Sequence, residues 1–160
     1  MTPDWIAVDW GTSNLRAWAM GADGVLAHAG SDEGMGKLTR DGFEPALLRL
    51  INPWLSDAVT PVIACGMVGS RQGWREAPYR AVPCAPVAPG ALRAVPTADP
   101  RIAVHIAPGL MQAAPADVMR GEETQIAGAV VGGIGSGRIL ACMPGTHTKW
   151  VSLHGSVVQE

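Results

Sequence analysis

Two short polar turns in this chain carry the residue types that bind phosphate. The first, Gly11-Thr12-Ser13-Asn14, follows an apolar stretch from Trp5 to Val8 that ends in Asp9, and it precedes a second apolar stretch opening at Leu15-Arg16. Glycine lets the backbone approach an anion closely, and the Thr and Ser hydroxyls add donors. Asp9, at the strand end, has the oxygen chemistry that magnesium prefers when it accompanies nucleotide phosphates. Arg16 can face those phosphates or the solvent. The second turn, Pro144-Gly145-Thr146-His147-Thr148-Lys149, offers the same donors plus a lysine. Either turn alone is equally well an ordinary hairpin connection. Two of them facing each other across a cleft would grip a polyphosphate from both sides, which is the positioning task that phosphoryl transfer sets a protein.

A third group of residues could act on a hydroxyl. Glu122 and Glu123 stand at the start of an apolar run, Ile126 to Val131, that fits a helix with its acids in the first turn. A carboxylate there can take the proton of an attacking hydroxyl. Neighbours at a helix start point in different directions, so at most one serves as base and the other pairs with Arg120 or caps backbone amides. Read by composition alone, both are solvated first-turn acids. Arg71, Arg75 and Arg120 suit an acidic substrate, because the planar guanidinium matches a carboxylate in a bidentate way. Of six tryptophans, Trp5 and Trp18 read as sheet packing, while Trp10 and Trp74 lie in polar segments and could wall a sugar or nucleotide cleft.

These residues need elements to hold them. Trp5–Val8, Leu15–Met20 and Val25–Ala29 read as an antiparallel meander, with Gly21 to Gly24 as its second turn. Phe43, Leu47, Leu48, Ile51 and Leu55 recur at helical spacing until Pro53 bends or ends the helix. Pro61–Cys65 and Ile102–Ile106 read as buried strands, Gly66–Arg71 as a glycine-punctuated loop or short helix, and Pro83–Pro100 as loop with short extended pieces. Residues 132–137 are the most linker-like stretch. Beyond them Leu140 to Ser152 repeats the order of Ile6 to Trp18: strand, Gly-Thr turn, basic residue, strand. This second meander has apolar residues Leu140, Trp150, Val151 and Val157 to cover, so it must dock on the first unit or belong to a longer protein, and the latter is expected.

Composition sets outer limits. With 48% apolar residues the chain of 160 has material for a core, and its 20 glycines and 13 prolines imply many turns. Twelve basic against fourteen acidic residues leave a net charge of -2, which gives no footprint for nucleic acid. No stretch is long and apolar enough to cross a bilayer, and three unpaired-looking cysteines suit a reducing, cytoplasmic setting.

In combination, four segments resemble the 2-dehydro-3-deoxygalactonokinase family. They are Ile6 to Arg16; Cys65-Gly66-Met67-Val68-Gly69-Ser70 with Gly73-Trp74 and Pro78-Tyr79; Met119 to Gln125; and Met143 to Trp150. The resemblance implies an α/β, ribonuclease H-like first domain of the actin-like ATPase and sugar kinase fold over residues 1–136. Residues 137–160 would then be only the opening antiparallel hairpins of a second, nucleotide-side domain. It further implies ATP and Mg2+ as cosubstrate and cofactor, with Asp9, Gly11, Thr12, Ser13, Asn14, Arg16 and Gly145, Thr146, His147, Thr148, Lys149 on the nucleotide phosphates. Glu122, with Glu123 as its rival, would be catalytic, and Met67, Ser70, Arg71, Trp74, Arg75 and Arg120 would contact a sugar acid phosphorylated at its C6 hydroxyl. Because members of the family run to about twice this length, little or no turnover is expected from this chain alone. Another carbohydrate kinase of the same superfamily, or a sugar-acid-binding fragment without catalysis, are the alternatives.

Overall fold

Alternation along the first strand decides which side of the main sheet becomes core. In the computed structural model, which describes residues 2–133, 137–145 and 147–160, β1 (Trp5–Trp10) buries Ile6, Val8 and Trp10 and turns Trp5, Ala7 and Asp9 to the other face. It pairs antiparallel with β2 (Leu15–Gly21), which pairs antiparallel with β3 (Gly24–Ser31). The meander expected from the turn residues is therefore present. α1 (Phe43–Ile51) lays Phe43, Ala46, Leu47 and Ile51 on the buried face, and Pro53, which lacks an amide donor, converts its continuation into one 3-10 turn, Asn52–Trp54.

The chain then enters β4 (Thr60–Cys65), which lies parallel to β1. A short β5 (Arg80–Ala81) leaves the main sheet, and β6 (Arg93–Val95) returns to its edge. β7 (Ile102–Ile106) is parallel to β4 and antiparallel to β6, giving the order β3-β2-β1-β4-β7-β6. Val62, Ala64, Val104 and Ile106 complete the core against α1.

The remainder packs as a second cluster. β8 (Leu110–Gln112) and β9 (Asp117–Met119) form a hairpin that joins β5 in a small sheet, and α2 (Glu122–Val131) follows at once. β10 (Arg138–Met143), β11 (Lys149–His154) and β12 (Val157–Val158) make the expected second meander. Its connection is one residue shorter than the first: five residues separate the paired Met143 and Lys149, against six between Asp9, the residue matching Met143, and its partner Arg16. Trp150 therefore faces Cys142 as Ala17 faces Val8, and the residue-by-residue match of the two meanders slips by one after the turn. One side docks on the preceding chain, with Val151, Leu153 and Val158 buried against Leu110 and Ile126. The other leaves Leu140 and Trp150 about two-thirds exposed.

Candidate functional site

The chemistry-bearing residues gather where β1 and β4 end side by side, with Asp9 paired to Cys65. The chain leaves β4 through Gly66 at φ +93°, where a Cβ would lie 2.8 Å from the Trp10 carbonyl oxygen. Gly121, at φ +112°, precedes α2, and a Cβ there would come within 3.4 Å of Gly66 Cα. Glycine at both positions relieves backbone strain and lets the start of α2 press against the strand ends. Glu122 is thereby set near Asp9.

The first turn is shaped from behind. Gly11 donates to the Asn14 carbonyl at 3.0 Å, while Met35 and Gly36 donate to the Gly11 and Thr12 carbonyls at 2.9 Å each. Gly34 packs so tightly that a Cβ would lie 2.2 Å from the Ser13 carbonyl carbon. These bonds occupy the carbonyls and leave the amides of Thr12, Ser13 and Asn14 donating to no acceptor among the described residues. Such a row of exposed amides is an anion-binding surface.

An open cleft of about 600 Å³ runs from this turn to the second one. Asp9, the whole Gly11–Asn14 turn and Arg16 line one side, and His147 and Lys149 line the other. Met67, Arg120 and Glu122 lie between them, together with Tyr79 and Met119, which the sequence places in family-like segments without a role, and Val118 of β9, which it does not mention. Gly145 and Thr148 sit exposed in the second turn, and Thr146 falls outside the described residues.

Charge in the cleft is unevenly satisfied. Arg16 Nη1 lies 3.6 Å from Asp9 Oδ2. Burial pushes the Asp9 carboxyl above its ordinary range, Arg16 opposes that shift, and Glu122 adds to it. Glu122 Oε2 accepts the Arg120 amide at 2.9 Å. Glu123 is fully buried: its Oε2 accepts the Gly121 amide at 2.7 Å, its Oε1 has no partner among the described residues, and burial drives its pKa up to about 7. The adjacent glutamates thus do point apart, one to the cleft and one to the interior. Lys149 pairs with Asp117 of β9, and that bond, with the Val118 amide and nearby His147, holds the Asp117 carboxyl below its usual range. Burial raises the Cys65 thiol to about 12, as befits a protonated, unreactive side chain.

The structure does not bring Ser70, Arg71, Trp74 or Arg75 to this cleft. The Ser70 hydroxyl donates to Met35 Sδ at 3.3 Å, Arg71 is mostly exposed beside Glu76, and Arg75 is exposed. Trp74 stacks on Phe43 with 6.1 Å between ring centroids and packs against the main core. Trp10 is a core residue and no cleft wall. As the last inward position of β1 it is fully buried, edge-on to Phe43 at 5.3 Å, with its indole N–H donating to the Glu33 carbonyl. Trp5 and Trp18 are half-buried on the sheet face away from α1. Tyr79 was findable in principle: it is the sole tyrosine, and it follows Pro78 in the polar loop after Trp74.

A mixed α/β fold of several sheets, with the exposed amides of a strand-end turn and acidic groups on one cleft, suits a sugar-kinase-type domain. The chain belongs to the 2-keto-3-deoxy-galactonokinase family, whose model matches residues 9–160. It is 48% identical over 150 residues to "Probable 2-dehydro-3-deoxygalactonokinase DgoK1" of Rhizobium meliloti (strain 1021), covering 92% of this chain and 48% of that protein. It is 37% identical over 162 residues to the 2-dehydro-3-deoxygalactonokinase of Escherichia coli (strain K12), covering 100% of this chain and 53% of that protein. The crystal structure of a protein assigned as a 2-dehydro-3-deoxygalactonokinase from Sinorhizobium meliloti superposes with a TM-score of 0.87 at 45% identity, over 98% of this chain and 51% of that one. The chain thus spans about half the length of the curated relatives it matches. Among the described residues, no helix is long and apolar enough to cross a membrane.

Proposed function

We propose that this chain supplies the sugar-acid and phosphate-gripping part of a kinase that transfers the γ-phosphoryl group of ATP to the C6 hydroxyl of 2-dehydro-3-deoxy-D-galactonate. The observation that carries the reading is that the first turn, Glu122, and His147 and Lys149 of the second turn line one cleft. The names of the relatives point to the substrate. The strand order, with an antiparallel meander followed by parallel β4 and β7, supports a ribonuclease H-like first domain of the actin-like ATPase fold over residues 1–136. Residues 137–160 are then the opening of the second domain.

In this mechanism the free amides of Thr12, Ser13 and Asn14 hold phosphate oxygens from one side, and His147 and Lys149 neutralise them from the other. Arg120 grips the carboxylate of the sugar acid, because Arg71 and Arg75 lie away from the cleft. Glu122 is the base: it lines the cleft, whereas Glu123 is sealed in the interior. As the C6 oxygen bonds to the γ-phosphorus, its proton passes to a Glu122 carboxylate oxygen, the bond from the bridging oxygen to the γ-phosphorus breaks, and ADP departs with that electron pair. Asp9 fits a magnesium ion: it is an oxygen donor held among Glu122 and the first turn, in surroundings where a second carboxylate already disfavours its charge. Among the described residues no cluster of three ligating side chains exists, so nucleotide oxygens and water would complete the coordination sphere. When bound, the ion supplies neutralisation of phosphate charge.

Calorimetric titration with 2-dehydro-3-deoxygalactonate and with ATP in magnesium, alongside a coupled ADP-release assay, tests the reading. Binding of both ligands supports it, provided that Glu122→Gln leaves both affinities in place and removes whatever sugar-acid-dependent ADP release the parent chain shows. A chain that binds neither ligand refutes it.

A further inference from the structure

We propose that Tyr79 is a specificity-determining positioning residue, holding the Arg120 guanidinium so that the cleft selects substrates ending in a carboxylate. The inference rests on the functional reading above and names the residue that makes Arg120 selective. The Arg120 guanidinium carbon lies 4.2 Å from the centroid of the Tyr79 ring, within the range of a cation–π contact. Its Nη1 donates to the Ala77 carbonyl at 3.0 Å. One contact fixes the plane and the other fixes its rotation within that plane.

The space for this stack is made by glycine. A Cβ on Gly69 would come within 2.9 Å of Arg120 Nη1, and one on Gly109 within 2.8 Å of Tyr79 Cε1 and 2.3 Å of the Met119 carbonyl oxygen. Any other residue at these two positions would displace the arginine or the ring. What the stack leaves over is one edge of the guanidinium. Nε is buried without an acceptor, and Nη2 donates to none among the described residues. Nε and Nη2 together form the side-on fork that takes both oxygens of a carboxylate. A buried donor without a partner is costly, and a ligand carboxylate would remove that cost. Both Arg120 and Tyr79 line the cleft that holds Glu122, so the acid end and the hydroxyl end of one substrate fall within a single groove.

A neutral ligand has no pair of charged oxygens to offer this fork, so the held plane raises affinity for the acid alone. The test measures binding of the 160-residue chain to 2-dehydro-3-deoxygalactonate and to its analogue bearing a hydroxymethyl group in place of the C1 carboxylate. Tyr79→Leu is expected to lower the acid-over-alcohol affinity ratio about tenfold, the acid losing far more affinity than the alcohol, and Tyr79→Phe, which keeps the ring, to retain the ratio. Combined with Arg120→Lys, which keeps charge but lacks the planar fork, Tyr79→Leu should have no further effect on the ratio. Equal losses for acid and alcohol, or no loss for either, would overturn the inference and leave the kinase reading standing. Failure of the parent chain to bind either ligand would overturn both. Should Tyr79→Leu not fold, the Tyr79→Phe and Arg120→Lys pair decides. An unchanged ratio on Arg120→Lys excludes the fork, and a ratio lost on Tyr79→Phe excludes the ring as its support.

Discussion

Replacing Glu123 by Gln should abolish a pH dependence of stability that this one side chain imposes. Glu123 is fully buried, and its pKa rises from an ordinary 4.5 to about 7 because burial disfavours the charge. The Gly121 amide and Arg120 oppose that shift, and Glu122 reinforces it. With the folded-state value above the unfolded one, the unfolded chain releases its proton first as pH rises. Stability from this group is therefore fully present below about pH 4.5 and is lost progressively up to about pH 7. Each unit in that window is worth up to about 1.4 kcal/mol, so the loss between pH 5 and pH 8 comes to roughly 2 to 3 kcal/mol. Gln keeps an oxygen for the Gly121 amide and carries no charge, so the part of the fall that Glu123 causes is absent from the variant. Urea unfolding of both proteins at pH 5, 6, 7 and 8, with chelator present, measures the gap between them. Asp9, also raised, titrates in both and cancels from the difference. A gap that widens with pH by about 2 kcal/mol or more supports the burial argument. A constant gap would show that Glu123 ionises normally and that its surroundings are wetter or better paired than described.

Gly34→Ala places a Cβ against the Ser13 backbone with no flexible side chain to give way, so it should destabilise the chain by about 3 kcal/mol or more and weaken phosphate binding at the first turn, read by urea unfolding and ATP titration. Trp150→Ser with Leu140→Thr removes two exposed apolar side chains from the outer face of the second meander. The pair should reduce concentration-dependent self-association in sedimentation while changing unfolding free energy by no more than about 1 kcal/mol in total. Unaltered self-association would mean that this face is not adhesive.

Legibility followed the length of the pattern. β1 to β4, β7 and the two helices carry alternation or helical spacing, and each lies within two residues of where the sequence puts it, save that α1 stops earlier, at Ile51, before Pro53. β6 was legible only as one of the short extended pieces of Pro83–Pro100; its place at the edge of the main sheet comes from pairing with β7 and not from its own composition. The β8–β9 hairpin escaped for the same reason: three-residue strands such as Leu110–Gln112 show no period. The first Gly-Thr turn was legible because four short polar or glycine residues interrupt two apolar strands at once. The misplacement of Trp10 had a definite cause. Its polar neighbours Asp9 and Gly11 masked its inward place in the alternation that Ile6 and Val8 begin. Trp74 and the arginines beside it sit in a loop whose path is set by tertiary bonds, such as the Trp74 amide to the Val68 carbonyl at 3.0 Å, and no local pattern encodes that.

The two turns that face the cleft are supported in unlike ways, and this bears on how it would take a polyphosphate. The first is backed by main-chain bonds from Met35 and Gly36 and by the close approach of Gly34, so its free amides are preorganised and need no rearrangement to meet an anion. The second presents Lys149 already engaged with Asp117, whose carboxyl is half exposed. A pair of that kind contributes about 1 kcal/mol or less, so phosphate oxygens can displace Asp117 at little cost. One wall is thus rigid and the other exchangeable. The pairing also lets a lysine stand in the cleft without an uncompensated charge, since Asp117 on β9 supplies the counter-charge from outside the first turn.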